Sequence, residues 1–177
     1  MKVLVPLAEG FEEIEATTVV DVLRRAGMDV VVAGIPGTYI KGSRKMQIVA
    51  DRKLEDVRPS DFDAIVLVGG DPGYKNLGRS NTIMDTIREF NSKEKTIAAI
   101  CAAPSILGKV GILNERRATI YPGMEREIPR PRGRKVEVDG HIITSQGPGT
   151  AMEFSLAIVE KLAGADKAKL LRKQLVF

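Results

Sequence analysis

The chemistry of this chain turns on one sulfur. Cys101 is the sole cysteine among 177 residues, so it can neither close an internal disulfide nor complete a multi-cysteine zinc site. It ends the run Thr96-Ile97-Ala98-Ala99-Ile100, which reads as a strand buried on both faces. Pro104 follows three residues later, where a helix can begin because its missing N–H would have no partner anyway. A strand that stops at a cysteine and turns at once into a helix points the thiol at the helix's free N–H groups, which favour thiolate over thiol. Ala102 and Ala103 are small, as so sharp a turn requires. The same stretch also fits an inert core cysteine, because free cysteine is among the most buried residue types.

Three other features could serve that sulfur. Gly69-Gly70 follows the apolar run Asp63 to Val68, and bare backbone N–H groups after a strand suit an oxyanion; a plain tight turn is the simpler reading. Glu15 lies in the first helical turn after the opening strand. As an ionised group it would complement the helix dipole, like its neighbours Glu12 and Glu13, and remain solvated. Beside Cys101 it would blunt the thiol unless burial let it keep its proton and donate a hydrogen bond. His141 is the only histidine and follows the Asp139-Gly140 turn, at a hairpin rim rather than a strand's carboxyl end, which argues against a Cys–His dyad.

The elements that must position these groups follow from hydrophobic periodicity. Lys2 to Leu7 reads as a central strand, and Glu12 to Ala26 as a helix with Ala16, Val19, Val20 and Leu23 on one face, ended by Gly27. Met28 to Ala33 completes a β-α-β unit. Asn81 to Asn91 is a helix with Ile83, Ile87 and Phe90 inward, and Gly108 or Gly111 closes the helix after Cys101. Val136 to Val138 and His141 to Thr144 form a hairpin, and a helix with Phe154, Ile158 and Leu162 on one face precedes a basic tail helix, Lys167 to Lys173. Gly34 to Ala50 is irregular apart from a β-type piece at Met46 to Val49, and Arg116 to Lys135 has no clear period. This alternation predicts a single α/β domain over residues 1–177, a mostly parallel sheet between helices. Ligands of such sheets bind beyond the carboxyl ends of the strands, where the loops carrying Glu15, Gly69-Gly70 and Cys101 meet.

Composition excludes several alternatives. Hydrophobic residues make up 44% and charged ones 28%, as in an ordinary globule, and no apolar run reaches the length of a membrane span. Met1 to Leu7 is too short and too soon followed by Glu9 for a signal peptide, and one cysteine suits a reducing, cytoplasmic setting. The net charge of +4 is mild. The basic run Arg126 to Lys135 reads as a solvated loop, because no aromatic residues interleave with its charges as nucleic-acid binding would want. No metal or cofactor is called for.

Taken together, Glu9-Gly10-Phe11-Glu12-Glu13-Ile14-Glu15, Arg24-Arg25-Ala26-Gly27, Val68-Gly69-Gly70, Ala99-Ile100-Cys101-Ala102-Ala103-Pro104 and Thr144 to Thr150 resemble the ThiJ/PfpI family nearly end to end. The resemblance is to the branch of the parkinsonism-associated protein deglycase and the bacterial ThiJ-like proteins. It implies a flavodoxin-like three-layer sandwich of the class I glutamine amidotransferase-like type, and a homodimer. It implies Cys101 as nucleophile on a strained elbow, Glu15 as its protonated partner, and an oxyanion hole of the Gly70 and Ala102 N–H groups. Gly69, Tyr121, Pro148 and Arg44 would border the pocket, with Arg44 near the dimer interface. Two departures matter. Peptidase-like members carry a histidine where this chain has Ala102, and the deglycase carries one where this chain has Tyr121-Pro122. Tyrosine is a poor proton shuttle near pH 7. The resemblance implies a cofactor-free glyoxalase or deglycase that converts α-oxoaldehydes such as methylglyoxal, or their glycated adducts, into 2-hydroxy acids. A redox sensor whose cysteine is oxidised to sulfinic acid is the alternative.

Overall fold

The computed structural model describes all of residues 1–177. Its strands are β1 (Lys2–Ala8), β2 (Asp29–Ile35), β3 (Tyr39–Lys41), β4 (Gln47–Val49), β5 (Arg52–Lys53), β6 (Ala64–Leu67), β7 (Thr96–Ile100), β8 (Val136–Asp139) and β9 (Ile142–Ser145). Its helices are α1 (Glu13–Arg25), α2 (Gly73–Leu77), α3 (Asn81–Ser92), α4 (Pro104–Val110), α5 (Ala151–Ala163) and α6 (Ala165–Gln174). The main sheet runs β5-β2-β1-β6-β7-β9-β8, parallel throughout except for β8, and β3 pairs antiparallel with β4 in a separate ribbon.

Strand alternation divides the core in two. Val3, Val5 and Leu7 of β1 pack with α1, α5 and α6 on one face, while Leu4 and Ala8 pack with α3 and α4 on the other. Covered on both faces, β1, β6 and β7 need continuous apolar sequence, which is why they read so clearly as central strands. The chain leaves β1 for α1 on one face and β6 for α2 and α3 on the other, so the carboxyl ends of β1 and β6 border a topological switch point. β7 lies beside β6 in register from Ala64 opposite Thr96 to Leu67 opposite Ala99, which brings Cys101 to that crevice.

Several expectations need correction. On α1 it is Val22, 1% exposed, that takes the core place expected of Val20, which is only half-buried. Gly111 closes α4 in the left-handed conformation, at φ +84°; Gly108 lies inside the helix, where a Cβ would meet the Glu127 carbonyl oxygen at 2.6 Å. Glu12 and Glu13 are buried rather than solvated, because the turn Gly42–Met46 between β3 and β4 folds over the start of α1. There Glu13 Oε1 accepts the Arg44 N–H at 2.7 Å and the Met46 N–H at 3.3 Å, and Oε2 accepts the Ser43 hydroxyl at 3.1 Å. The long excursion between α4 and β8 is pinned by a parallel bridge from Ala118 to Pro131 and by one helical turn at Glu125–Glu127.

Candidate active site

Cys101 sits immediately past β7 with φ +63°, a left-handed conformation that costs a side-chain-bearing residue about 1–2 kcal/mol. Backbone bonds from two directions hold it there. Its N–H donates to the Ser145 carbonyl at 3.0 Å, and its own carbonyl accepts the Tyr121 N–H at 2.9 Å. Pro104 then opens α4, as its position in the sequence suggests, and the half-buried sulfur faces the crevice.

Glu15 reaches the same point from α1 and is 0% exposed. Its Oε2 accepts the Gly69 N–H at 2.7 Å, while Oε1 is buried without a hydrogen-bond partner. Gly69 therefore does more than turn the chain. A Cβ there would lie 2.6 Å from Cys101 Cβ, 2.9 Å from Sγ and 3.1 Å from Glu15 Oε2, so its absence lets sulfur and carboxyl meet. Gly70, at φ +91°, is equally constrained, since a Cβ would stand 2.3 Å from the Glu12 nitrogen and 2.4 Å from the Gly10 oxygen.

Burial pushes the Glu15 carboxyl up to about 7, against the opposing pull of the Gly69 N–H and the thiol. The carboxyl thus meets the condition under which it can help a neighbouring sulfur. The thiol does not drop below its ordinary range. Burial, then the charge of an ionised Glu15 and the hydrogen bond to it, push it up to about 12, and the N–H groups of Ala102 and Gly70 pull it only partly back. The reason is that the pair resists carrying two negative charges in one dry site, so it loses its protons in two separated steps. A thiolate exists near neutrality only in the form whose remaining proton sits on Glu15.

A cleft of about 310 Å³ opens over the sulfur. Gly70, Ala102, Tyr121, Pro148 and Arg44 line it, as the family resemblance implies, and so do Glu12, Asp71, Tyr74 and Met124. Gly69 stands behind the sulfur rather than in the cleft wall. Tyr121 lies against Gly147, where a Cβ would come within 3.3 Å of its ring. Asp71 lies in the Gly69–Gly73 loop that follows β6, and Tyr74 escapes sequence reasoning because α2 has only five residues, too few to show a period. Met124 escapes it because the aperiodic excursion carries it. His141 lies elsewhere, at the amino end of β9, with Nε2 2.9 Å from Asn91 Oδ1. Burial and the charge of Arg116 hold its pKa below the ordinary value. No group of three or more His, Cys, Asp or Glu side chains could hold a metal ion.

These features define a doubly wound α/β protein with a cysteine on a strand-to-helix elbow and a buried carboxylic acid beside it. The chain matches the DJ-1/PfpI family over residues 1–161 and belongs to it. It is 43% identical to Protein dj-1beta of Drosophila melanogaster, covering 98% of this chain and 95% of that protein. It is 37% identical to the glutathione-independent glyoxalase DJR-1.2 of Caenorhabditis elegans, covering 94% of this chain and 91% of that one. The structure of oxidised Toxoplasma gondii DJ-1 superposes with a TM-score of 0.96 at 36% identity, covering 99% of this chain and 98% of that one. No helix is long and apolar enough to cross a membrane.

Proposed function

We propose that this protein is a cysteine-dependent glyoxalase or deglycase that converts α-oxoaldehydes such as methylglyoxal, or their adducts on amines and thiols, into 2-hydroxy acids. One observation carries the reading: a fully buried carboxyl lies against a half-exposed cysteine whose sulfur also faces two backbone N–H groups. The Cys101 sulfur attacks the aldehyde carbon as its proton passes to Glu15, and the new oxyanion rests on the Gly70 and Ala102 N–H groups before taking that proton from Glu15, which is a base again. Glu15 then removes the hydrogen from that carbon and returns a proton to the neighbouring carbonyl carbon, leaving a thioester. Water cleaves the thioester, freeing the sulfur and the 2-hydroxy acid. One α-oxoaldehyde and one water give one acid, so no redox partner is consumed.

Glu15 suits this double duty because a group near pKa 7 both takes and gives protons at neutral pH. Ala102, in the position of the peptidase-like histidine, speaks against peptide hydrolysis. In purified protein, Cys101→Ser and Glu15→Gln should each slow methylglyoxal consumption by at least about a hundredfold. Unchanged rates in either variant would refute the mechanism.

A second reading rests on the unpartnered Oε1 of Glu15. Oxidation of Cys101 to sulfinic acid uses two peroxide molecules, each leaving one oxygen on sulfur and departing as water, and a protonated Glu15 can donate to the product. Intact mass after mild peroxide separates the readings. A clean gain of two oxygens on Cys101 together with negligible aldehyde turnover favours the sensor. As macromolecular partner we propose a second copy of the chain.

A further inference from the structure

At the far edge of the sheet a second cleft, of about 280 Å³, is lined only by Arg117, Arg132, Arg134 and Glu137. The arginines come from the loop after α4 and from the excursion before β8, and the glutamate from β8 itself. Three guanidiniums face Glu137 and, beside the cleft, Asp139, which leaves an excess of positive charge, and no hydrophobic side chain lines the cleft. Their present contacts are poor. Arg117 Nε stands 3.5 Å from Glu137 Oε1 and 3.4 Å from Asp139 Oδ2, Arg134 Nε stands 3.7 Å from Glu137 Oε2, and the Arg132 guanidinium has no hydrogen bond or ion pair. Glu137 is the informative member. Its side chain is 3% exposed, and the Arg134 Nε at 3.7 Å is too far to donate to Oε2, so a buried acceptor lines the cleft without a hydrogen bond.

The geometry points to a binding site for a phosphate group, free or as a small phosphate ester, that brings its own O–H to Glu137. Guanidiniums bind phosphate oxygens through paired N–H donors, which accounts for the arginines and for their unspent donors. A carboxylate in the same wall repels a bare dianion but accepts a hydrogen bond from one that carries a proton or an adjacent hydroxyl. Hydrogen phosphate has such a proton at neutral pH. Sulfate, of the same charge and shape, has none, and it would leave Glu137 facing unrelieved negative charge. Selection of phosphate over sulfate is therefore the signature of this arrangement, as against a merely basic surface.

Calorimetric titration of the intact protein with inorganic phosphate, glycerol phosphate and sulfate tests this. Either phosphate compound should bind saturably, and at least about tenfold more tightly than sulfate. Which of the two binds more tightly tells the free ion from the ester. Arg132→Gln with Arg134→Gln, both at exposed positions, should remove the binding while leaving aldehyde turnover unchanged. Glu137→Gln should erase the preference over sulfate without abolishing anion binding. Equal affinity for phosphate and sulfate, an unaltered isotherm in the double arginine variant, or retention of a polynucleotide with no binding of either small phosphate would each overturn the assignment.

Discussion

A single proton decides what Cys101 can do. Glu15 has its folded pKa raised by burial from 4.5 to about 7, so the folded protein holds a proton there that the unfolded chain has released. The associated stability is fully present below pH about 4.5 and is lost as pH rises through about 7. The swing is about 3 kcal/mol, taking 1.36 kcal/mol for each pKa unit. Urea denaturation at pH 5 and pH 8 should show that loss in the wild type, whereas Glu15→Gln, which has no proton to release, should lack it. His141, whose pKa is lowered, adds an opposite trend in both proteins, so a wild type that loses no more stability than Glu15→Gln would mean that Glu15 is not the group raised. Gly69 bears on the same proton by leaving room. Gly69→Ala would push a methyl into Cys101 and Glu15 and should cost about 1–3 kcal/mol of stability. By driving carboxyl and sulfur apart it should also lower the thiol's titration midpoint, since ionised Glu15 is one of the causes holding it up. An alkylation-rate profile against pH measures that shift, and an unchanged midpoint would deny the contact its role. The spacing of Cys101 and Pro104 announced the elbow. The clash that makes Gly69 necessary depends on two side chains from distant segments and left no trace in its own neighbourhood.

Elements were legible in proportion to how local their reasons are. β1, β6 and β7 are covered on both faces and must be apolar throughout, so composition alone reveals them. The burial of Glu12 and Glu13 was hidden because the turn that covers them comes from roughly thirty residues away, between β3 and β4. The excursion between α4 and β8 is likewise held by one bridge, by the Tyr121 N–H on the Cys101 carbonyl and by arginine–carboxylate contacts, none of which produces a periodic pattern. Glu13 is the strut of the β3–β4 turn and takes three donors on its two oxygens. Glutamine offers one acceptor oxygen and turns an NH₂ toward the remaining donors. Glu13→Gln should therefore destabilise the protein by about 1–3 kcal/mol and speed amide exchange from Gly42 to Met46, leaving α3 and α4 protected. Because Arg44 sits on that turn and lines the cleft, KM for the aldehyde should rise more than kcat falls. Protection unchanged across the turn would show that Glu13 does not hold it.

At the scale of the whole molecule, α1 and the β3–β4 ribbon carry several of the large exposed apolar side chains. Ile14 is 55% exposed, Met46 55%, Val49 63% and Tyr39 73%, all on α1 or the β3–β4 ribbon. A groove bordered by Thr17 and Val20 of α1 and by Ile48 and Val49 of β4 has the Arg24–Asp51 ion pair in its wall. Exposed apolar side chains edged by charge are the mark of an association surface. In the proposed homodimer a second copy would present the same face across a two-fold axis, each α1 meeting the other's ribbon region. Light scattering should then give twice the chain mass at micromolar concentration, and Ile14→Glu with Val49→Glu should halve it. The substituted side chains are already exposed, so the monomer should remain folded by circular dichroism. The same turn carries both Met46 and, in the cleft wall, Arg44, so dissociation should reach the Cys101 cleft. Thiol alkylation should be faster in the dissociated variant as the cleft loosens. A wild type that runs as a monomer would remove the dimer, and a double variant that remains dimeric would place its interface elsewhere; either leaves this apolar face without its occupant.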